Sequence, residues 1–248
     1  MTSVPVDYMP EATPGADGLR ARLAEVRRRI TRSAQRSGRA PEEVTLIAVS
    51  KTHAADTLRR ALDAGARDFG ENRVQEAEGK IFDIGRDAAR WHLIGHLQSN
   101  KARRAVRLFD LVHSVDSASL VERLERSCRE EGRERLDALI QVDLGGEATK
   151  TGASEEELPR VVEAFARCER VRLRGLMTLP PFFEDPERVR PFFRRLRELR
   201  DALQARGAFG TERGVLSMGM SHDFETAVEE GATLVRVGTA IFGERARR

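Results

Sequence analysis

The stretch Val44-Thr45-Leu46-Ile47-Ala48-Val49-Ser50-Lys51 is an apolar run that ends in an amine. Its length and its β-branched residues predict a buried strand, and the pattern over 54–64 predicts a helix that stops at Gly65. The same unit, a short apolar run followed by a helix, recurs to the end of the chain. Such alternation is typical of a parallel sheet that is covered by helices.

Eight strands are predicted in this way, and a helix follows each of them. They are 44–50, 68–70, 91–95, 111–115, 138–143, 173–178, 215–218 and 234–237. The helix after the second strand is predicted over 71–84, and the helix after the seventh over 221–230. Eight units without a linker-like break favour a single closed (β/α)8 barrel of the TIM type. An open doubly wound sheet is the alternative, but no GxGxxG motif follows the first strand.

The beginning of the chain differs in composition from the rest. Residues 1–18 hold three prolines and two glycines, and we predict a flexible tail there. A first amphipathic helix is predicted over 19–37, so that the barrel domain occupies 19–248.

The composition excludes several classes of protein. The net charge of +3 is dispersed over helices of mixed sign, and aromatic residues make up only 5% of the chain, which argues against a nucleic-acid partner. No apolar stretch is long enough for a membrane span, and the N-terminus is not typical of a signal peptide. Cys128 and Cys168 form no CxxC pair, so we expect packing residues in a reduced, cytoplasmic protein and no metal site.

Lys51 is unusual because this chain uses Arg almost everywhere else. Of its 43 basic residues only four are Lys. Arg stays protonated, whereas a partly buried Lys can lose its proton and act as a nucleophile or a Schiff-base donor. The alternative is a lysine that only extends its amine into solvent from the end of a strand.

The loops after strands seven and eight have the composition of a phosphate site. Ser217, Ser221 and Thr239 supply hydroxyls, and Gly219 and Gly238 allow a ligand close to the backbone. In these barrels phosphate commonly binds at this place, where helix N-termini add donors. Ordinary helix capping by Ser221 and Thr239 is the alternative for each residue alone. Together they favour a phosphate.

Arg236 lies between two valines of the last strand, so alternation predicts that it points into the barrel. A structural ion pair with Asp143 or Glu71 is one interpretation, and an Arg aimed at a ligand is the other. A lysine, a phosphate site and an inward Arg on one rim suggest a phosphate ligand that carries an aldehyde. Pyridoxal 5′-phosphate (PLP) fits all three parts, and a phosphosugar held by a Schiff-base aldolase fits the first two.

The residues at the strand ends also carry a resemblance. It rests on Ala48-Val49-Ser50-Lys51, Phe69-Gly70-Glu71-Asn72-Arg73-Val74-Gln75-Glu76, the run Trp91 to Lys101, His113-Ser114-Val115-Asp116, Gly175-Leu176-Met177-Thr178, Leu216 to Asp223, and Val235 to Gly243. These motifs resemble the pyridoxal phosphate homeostasis protein family, which is related to the N-terminal barrel of alanine racemase. Departures fall at Asp143, where the family more often has Asn, and at Thr149, where Ser is common.

The resemblance implies a PLP-binding barrel with Lys51 as the Schiff-base lysine. Ser217, Ser221, Gly238 and Thr239 would hold the phosphate, Arg236 would face the pyridine nitrogen and Asn72 would lie beside the ring. Met177 and Gly219 complete the expected cofactor-binding set. The resemblance also implies a role without turnover in vitamin B6 homeostasis, with PLP-dependent apoenzymes as possible recipients.

The residues themselves bear on whether the protein is an enzyme. A cation beside the pyridine nitrogen disfavours protonation of that nitrogen, which makes the ring a poorer electron sink. Alanine racemases take a catalytic tyrosine from a second domain, whereas the tyrosine here is Tyr8, in the predicted tail. We therefore predict a monomeric PLP carrier. A racemase-like enzyme with a base such as His96, and a phosphosugar aldolase, remain the alternatives.

Overall fold

The computed structural model describes residues 16–146 and 151–244. The predicted tail falls almost wholly outside these residues, as do Tyr8, Thr149 and Lys150. The first helix begins at Ala16, three residues before its predicted start at residue 19.

Eight parallel strands close into a barrel in chain order, which confirms the predicted (β/α)8 fold. They are β1 (Thr45–Val49), β2 (Asp68–Glu71), β3 (Arg90–Leu93), β4 (Leu111–Val115), β5 (Leu136–Gln141), β6 (Val171–Met177), β7 (Val215–Ser217) and β8 (Leu234–Val237). Closure is made by β1 and β8, whose register pairs Thr45 with Leu234 and Ala48 with Val237. The first and last strand ends therefore emerge side by side.

The helices form the outer layer. They are α1 (Ala16–Arg36), α2 (Ala55–Asp63), α3 (Val74–Ile84), α4 (Ala102–Leu108), α5 (Ala118–Glu130), α6 (Leu158–Ala166), α7 (Arg190–Ala205), α8 (Phe224–Glu229) and α9 (Thr239–Phe242). Short 3-10 turns precede α4 and α7, at Ser99–Lys101 and Pro186–Val189.

Helix α1 takes the place of the outer helix that β8 does not supply. Helix α9 has only four residues, and α1 packs against α2, α8 and α9 over the seam between β8 and β1. Its buried residues follow helical spacing along one face: Leu19, Leu23, Val26, Ile30 and Ala34. The helix before the first strand thus completes the ring.

Side chains alternate between two apolar layers along each strand. Residues that face the helices include Ala48, Phe69, Trp91, Val112, Ile140, Leu176, Leu216 and Val235. Residues that face the barrel axis form a smaller cluster of Ile47, Leu111, Leu139, Met177 and Leu234. The apolar cluster at the axis is small because polar side chains fill the rest of the barrel interior. Those polar side chains belong to the site.

Two predicted helix starts were wrong, for reasons that matter at the site. Helix α3 begins at Val74 and not at Glu71, because Glu71 is still part of the β2 ladder. Helix α8 begins at Phe224 and not at Ser221, because Asp223 Oδ1 accepts the backbone N–H of Met220 in a turn before the helix.

Neither described cysteine forms a disulfide. Burial raises the pKa of the Cys128 thiol to about 11 and that of Cys168 to about 12, which suits packing residues rather than nucleophiles. Across the described residues, every helix is too short or too polar to cross a lipid bilayer.

Candidate functional site

The carboxyl ends of the strands bring the predicted residues to one mouth of the barrel. Lys51 lies in the turn directly after β1 and is half-buried. Directly after the neighbouring strand β8, Gly238 lies against Val49, and a Cβ at residue 238 would be 3.5 Å from the Val49 carbonyl oxygen. The predicted Schiff-base lysine and the predicted phosphate loop are therefore adjacent.

The loops after β7 and β8 are joined by hydrogen bonds. Ser221 Oγ accepts the backbone N–H groups of Gly238 and Ala240, at 3.1 and 3.4 Å, and the N–H of Arg236 donates to the Gly219 carbonyl at 2.9 Å. Ser221 thus does not cap α8, but it accepts N–H groups at the start of α9, so the capping alternative holds for the helix after the next strand. Ser221 and Gly238 are half-buried, as Lys51 is, and Thr239 is exposed, which leaves all three partly accessible to a ligand.

Gly219 is required by its backbone conformation and by its neighbours. Its φ is +91°, and a Cβ there would lie 2.5 Å from the Ala227 Cβ and 2.9 Å from the Phe224 Cα. Only glycine allows the β7 loop to turn this close to α8. The absence of a side chain therefore sets the position of the loop that carries Ser221.

Arg236 points into the barrel, as predicted, and is 3% exposed. Its Nη1 donates to Ser217 Oγ at 2.5 Å and its Nη2 to the Thr178 carbonyl at 2.9 Å. Burial lowers the pKa of its guanidinium to about 10. The side chain is held by neutral acceptors while it remains a donor.

The two carboxylates considered as ion-pair partners of Arg236 are used elsewhere. Glu71 faces the helix layer, as Phe69 does, and its carboxylate binds Lys80 of α3 at 2.8 Å. Asp143 Oδ1 accepts the N–H groups of Gly145 and Gly146 in the loop after β5. Alternation along β2 is what places Glu71 on the opposite face of the sheet from Arg236.

A chain of hydrogen bonds crosses the barrel from Arg236. Ser217 Oγ, which accepts from Arg236, lies 2.8 Å from Nδ1 of His113. Nε2 of His113 lies 3.0 Å from Nδ1 of His92, and Nε2 of His92 lies 3.0 Å from Oδ1 of Asp68. The chain links β8, β7, β4, β3 and β2 through the barrel interior.

The two ends of this chain fix its direction. Arg236 can only donate and the Asp68 carboxylate can only accept, so neutral rings require Nε2–H on both His92 and His113 and a Ser217 hydroxyl that donates to His113. Burial, the neighbouring His92 and Arg236 lower the pKa of His113 well below its usual value. The opposite direction would need a hydrogen on both ring nitrogens of His92.

The sequence did not predict this chain of hydrogen bonds, and Ser217 was assigned to the phosphate instead. Ser217 is fully buried and its hydroxyl is engaged by Arg236 and His113, so its contact with phosphate stays a prediction. Alternation along the strands would have revealed it: His113 and Ser217 lie two residues after Leu111 and Val215, which face the barrel axis, so they face the axis as well.

The other predicted residues lie on two sides of the mouth. Asn72 is half-buried and lines a cavity of about 730 Å³ together with His96, Arg73 and Lys101. His96 is exposed there, with its Nδ1 3.4 Å from Asp116 Oδ2. Met177 is fully buried in the axial cluster. Its contact with a ligand stays a prediction.

Comparison with known proteins places the chain in a family. The family model of the alanine racemase N-terminal domain matches residues 22–246. Pyridoxal phosphate homeostasis proteins of Aquifex aeolicus and Pseudomonas aeruginosa are 42% and 45% identical, over 90% of this chain and 97% and 94% of their own lengths.

Solved structures agree with these relatives. PipY of Synechococcus elongatus with PLP bound is 40% identical, covers 91% of this chain and 100% of its own, and superposes with a TM-score of 0.78. Alanine racemase of Clostridium difficile in complex with cycloserine is 15% identical with a TM-score of 0.72, over 93% of this chain and 60% of its own, a likeness of fold alone. The chain belongs to the alanine racemase N-terminal domain family and, within it, to the pyridoxal phosphate homeostasis proteins.

Proposed function

We propose that this protein binds PLP at the carboxyl end of its barrel and serves in intracellular PLP homeostasis. The observation that carries the proposal is the adjacency of Lys51 and the Ser221–Gly238 loop contact at the seam between β1 and β8. The PLP-bound structure of PipY, which is related over its full length, supports the same ligand.

Each expected residue has a role that its position allows. The Lys51 amine would hold the aldehyde carbon of PLP as a Schiff base, with loss of water. Ser221, Thr239 and the backbone of Gly238 would hold the phosphate, because they are the partly or fully exposed groups of the two loops. Gly219 shapes the loop, and Asn72 would lie beside the ring.

Arg236 would face the pyridine nitrogen and keep it unprotonated, because a guanidinium beside that nitrogen opposes a second positive charge. Ser217 acts through Arg236, since its hydroxyl accepts from Nη1. PLP supplies electron-withdrawing chemistry when it is bound, and an unprotonated ring supplies less of it. This arrangement suits storage and delivery better than turnover of amino acids.

The proposal extends to the setting in which the protein works. We propose a monomer in the cytoplasm that passes PLP to apoenzymes which depend on it. The relatives are named as homeostasis proteins, which supports a role without catalysis. Two thiols with raised pKa values are compatible with a reducing compartment.

The test is the absorbance spectrum of purified protein with added PLP, followed by borohydride reduction and peptide mass mapping. We expect a visible Schiff-base band, a pyridoxyl mass on the Lys51 peptide, and loss of both in Lys51→Ala. Lys101→Ala is the matched control, because Lys101 lies at the same mouth of the barrel.

Three outcomes would change the proposal. A protein that takes up no PLP, or that is labelled at Lys101 or Lys150 instead, would refute it and favour a phosphosugar aldolase. Repeated racemisation of an added amino acid by PLP-loaded protein would replace the carrier with a racemase-like enzyme. His96→Ala would then show whether His96 is its base.

A further inference from the structure

A buried ammonium group lies under the turn that carries Lys51. Lys80 of α3 is 7% exposed, and its Nζ is 2.8 and 3.0 Å from the two carboxylate oxygens of Glu71. The same Nζ is 2.6 Å from Glu76 Oε1 and 2.8 Å from the Ser50 carbonyl oxygen. One cation therefore joins the end of β2, the first turn of α3 and the end of β1.

The residues on either side of Lys51 are both held by this cluster. The Ser50 hydroxyl donates to Glu71 Oε1 at 2.6 Å, and the Ser50 carbonyl oxygen accepts from Lys80 Nζ. Thr52 donates its backbone N–H to Glu76 Oε1. Lys51 thus lies between two fixed points, one on its N-terminal side and one on its C-terminal side.

The backbone at Thr52 needs such support. Thr52 is the one non-glycine residue with a positive φ, 69°, in the part of the chain that the structure describes. A β-branched residue is sterically disfavoured in this conformation and keeps it only where surrounding contacts impose it. The backbone N–H of this same residue donates to Glu76, and we call this hydrogen bond the tether. The tether therefore lies at the strained position.

Burial and the charge of Lys80 act in opposite directions on the pKa values of the two carboxylates. Burial raises the pKa of Glu71, against the opposing effect of Lys80 and Ser50. Burial also opposes ionisation of Glu76, but the hydrogen bonds from Lys80 and Thr52 outweigh it and the pKa of Glu76 is lowered. Removal of Lys80 would leave two neighbouring carboxylates without a matched positive charge.

We propose that Glu71, Lys80 and Glu76 form a clamp that sets the backbone of residues 50–52 and thereby directs the amine of Lys51 toward the barrel axis. Ser50 is held toward the helix layer directly after β1, so the pleat of the strand, continued by one residue, would turn the Lys51 side chain to the opposite side. Glu76 is the positioning residue that can be tested, since its side chain is partly exposed and the other two are buried. The directing role rests on the proposed function of Lys51, whereas the tether does not.

The experiment compares three variants with the wild type. Glu76→Ala removes the acceptor of the Thr52 N–H, and Glu76→Gln retains an acceptor oxygen without the charge. Glu78→Ala is the matched control, because Glu78 lies on the same helix and pairs with Arg104 at 3.7 Å, away from the turn.

The first readout uses protein without PLP. Amide hydrogen exchange of a peptide that covers 50–55 should be about tenfold faster in Glu76→Ala than in the wild type, the effect of one lost hydrogen bond. Glu76→Gln should exchange nearly as slowly as the wild type, and Glu78→Ala should not differ from it. Equal exchange in Glu76→Ala and Glu78→Ala would overturn the clamp.

The second readout is the appearance of the Schiff-base band after PLP is added. Its rate should fall about tenfold in Glu76→Ala and stay unchanged in Glu78→Ala, if one hydrogen bond sets the position of the amine. Equal rates in both variants would overturn the directing role of the clamp. A wild type without the band would refute the proposed function, and the exchange comparison would still decide the tether.

Discussion

At the scale of single residues, the buried charge of Arg236 depends on the polar chain behind it. Ser217 and Thr178 accept one hydrogen bond each from its guanidinium, and Ser217 is in turn hydrogen-bonded to His113. A buried donor that loses its acceptor costs about 1–3 kcal/mol, so each member of the chain supports the next. The interior histidines therefore belong to the positioning of Arg236.

His113 makes the free energy of unfolding depend on pH. Its pKa is well below 6.5 in the folded protein, because burial opposes its charge, whereas the unfolded chain binds a proton near 6.5. The unfolded state thus binds more protons as the pH falls below 6.5, and stability decreases by up to about 1.4 kcal/mol per pH unit from this group. Urea denaturation at pH 7.5 and 5.5 measures the decrease.

The matched variants for this test are His113→Asn and His222→Asn. His113→Asn should be less stable at pH 7.5 and show a smaller change between the two pH values. His222 is exposed, and its replacement should leave the change intact. A pH dependence that persists unaltered in His113→Asn would contradict the assignment.

Gly219 is the second residue with a specific expected effect. Gly219→Ala introduces a Cβ 2.5 Å from Ala227 at a φ of +91°, and we expect a loss of about 2–4 kcal/mol from overpacking and strain together. PLP affinity should fall with it, because the loop that carries Ser221 must shift. Thermal denaturation and PLP titration measure the two effects.

Gly210→Ala separates strain from overpacking. Gly210 has a φ of +65°, and a Cβ at this residue would meet no atom within 4 Å, so its replacement should cost only about 1 kcal/mol. If both variants lost the same stability, close packing of the β7 loop against α8 would not be what requires Gly219.

At the scale of elements, α1 closes the outer layer. Besides its apolar face, Arg29 pairs with Glu225 at 2.7 Å and Arg36 with Glu229 at 2.8 Å, both on α8. Helix α8 follows the loop that carries Ser221. A change in the packing of α1 can therefore alter the predicted phosphate site through α8.

Leu23→Ala tests this role of α1. Leu23 is 1% exposed, and its truncation should lower the free energy of unfolding by about 2–5 kcal/mol. Arg28→Ala on the exposed face of the same helix should change it by less than about 0.5 kcal/mol. A negligible effect of Leu23→Ala in urea denaturation would show that α1 does not complete the barrel.

At the scale of the whole molecule, a ligand at the mouth would stabilise the closed barrel, because its contacts come from several strands and exist only in the folded state. PLP at about 100 times its dissociation constant should add about 2.7 kcal/mol, a rise of roughly 5–10 °C in Tm for a chain of this size. Differential scanning fluorimetry measures it.

Two lysine variants decide whether this stabilisation comes from the predicted site. The rise should shrink in Lys51→Ala and persist in Lys101→Ala. An equal rise in both would place the stabilising contact elsewhere on the protein.

The sequence by itself determined the barrel and most of the rim. Eight apolar runs separated by helical patterns specify which segments can bury both faces, and alternation in β8 correctly directed Arg236 to the interior. The predicted strand 234–237 coincides with β8, and 111–115 with β4. These features depend on local periodicity, which a single chain displays.

Only the tertiary structure decided which buried polar side chains form hydrogen bonds with each other. Five strands had to close before Asp68, His92, His113, Ser217 and Arg236 could form one chain, and their spacing in the sequence reveals nothing of it. Lys80 has the pattern of an ordinary helix lysine until α3 packs over the ends of β1 and β2. The partners of a buried polar group are set by long-range packing, because its desolvation must be offset by whichever groups the fold brings within hydrogen-bond distance.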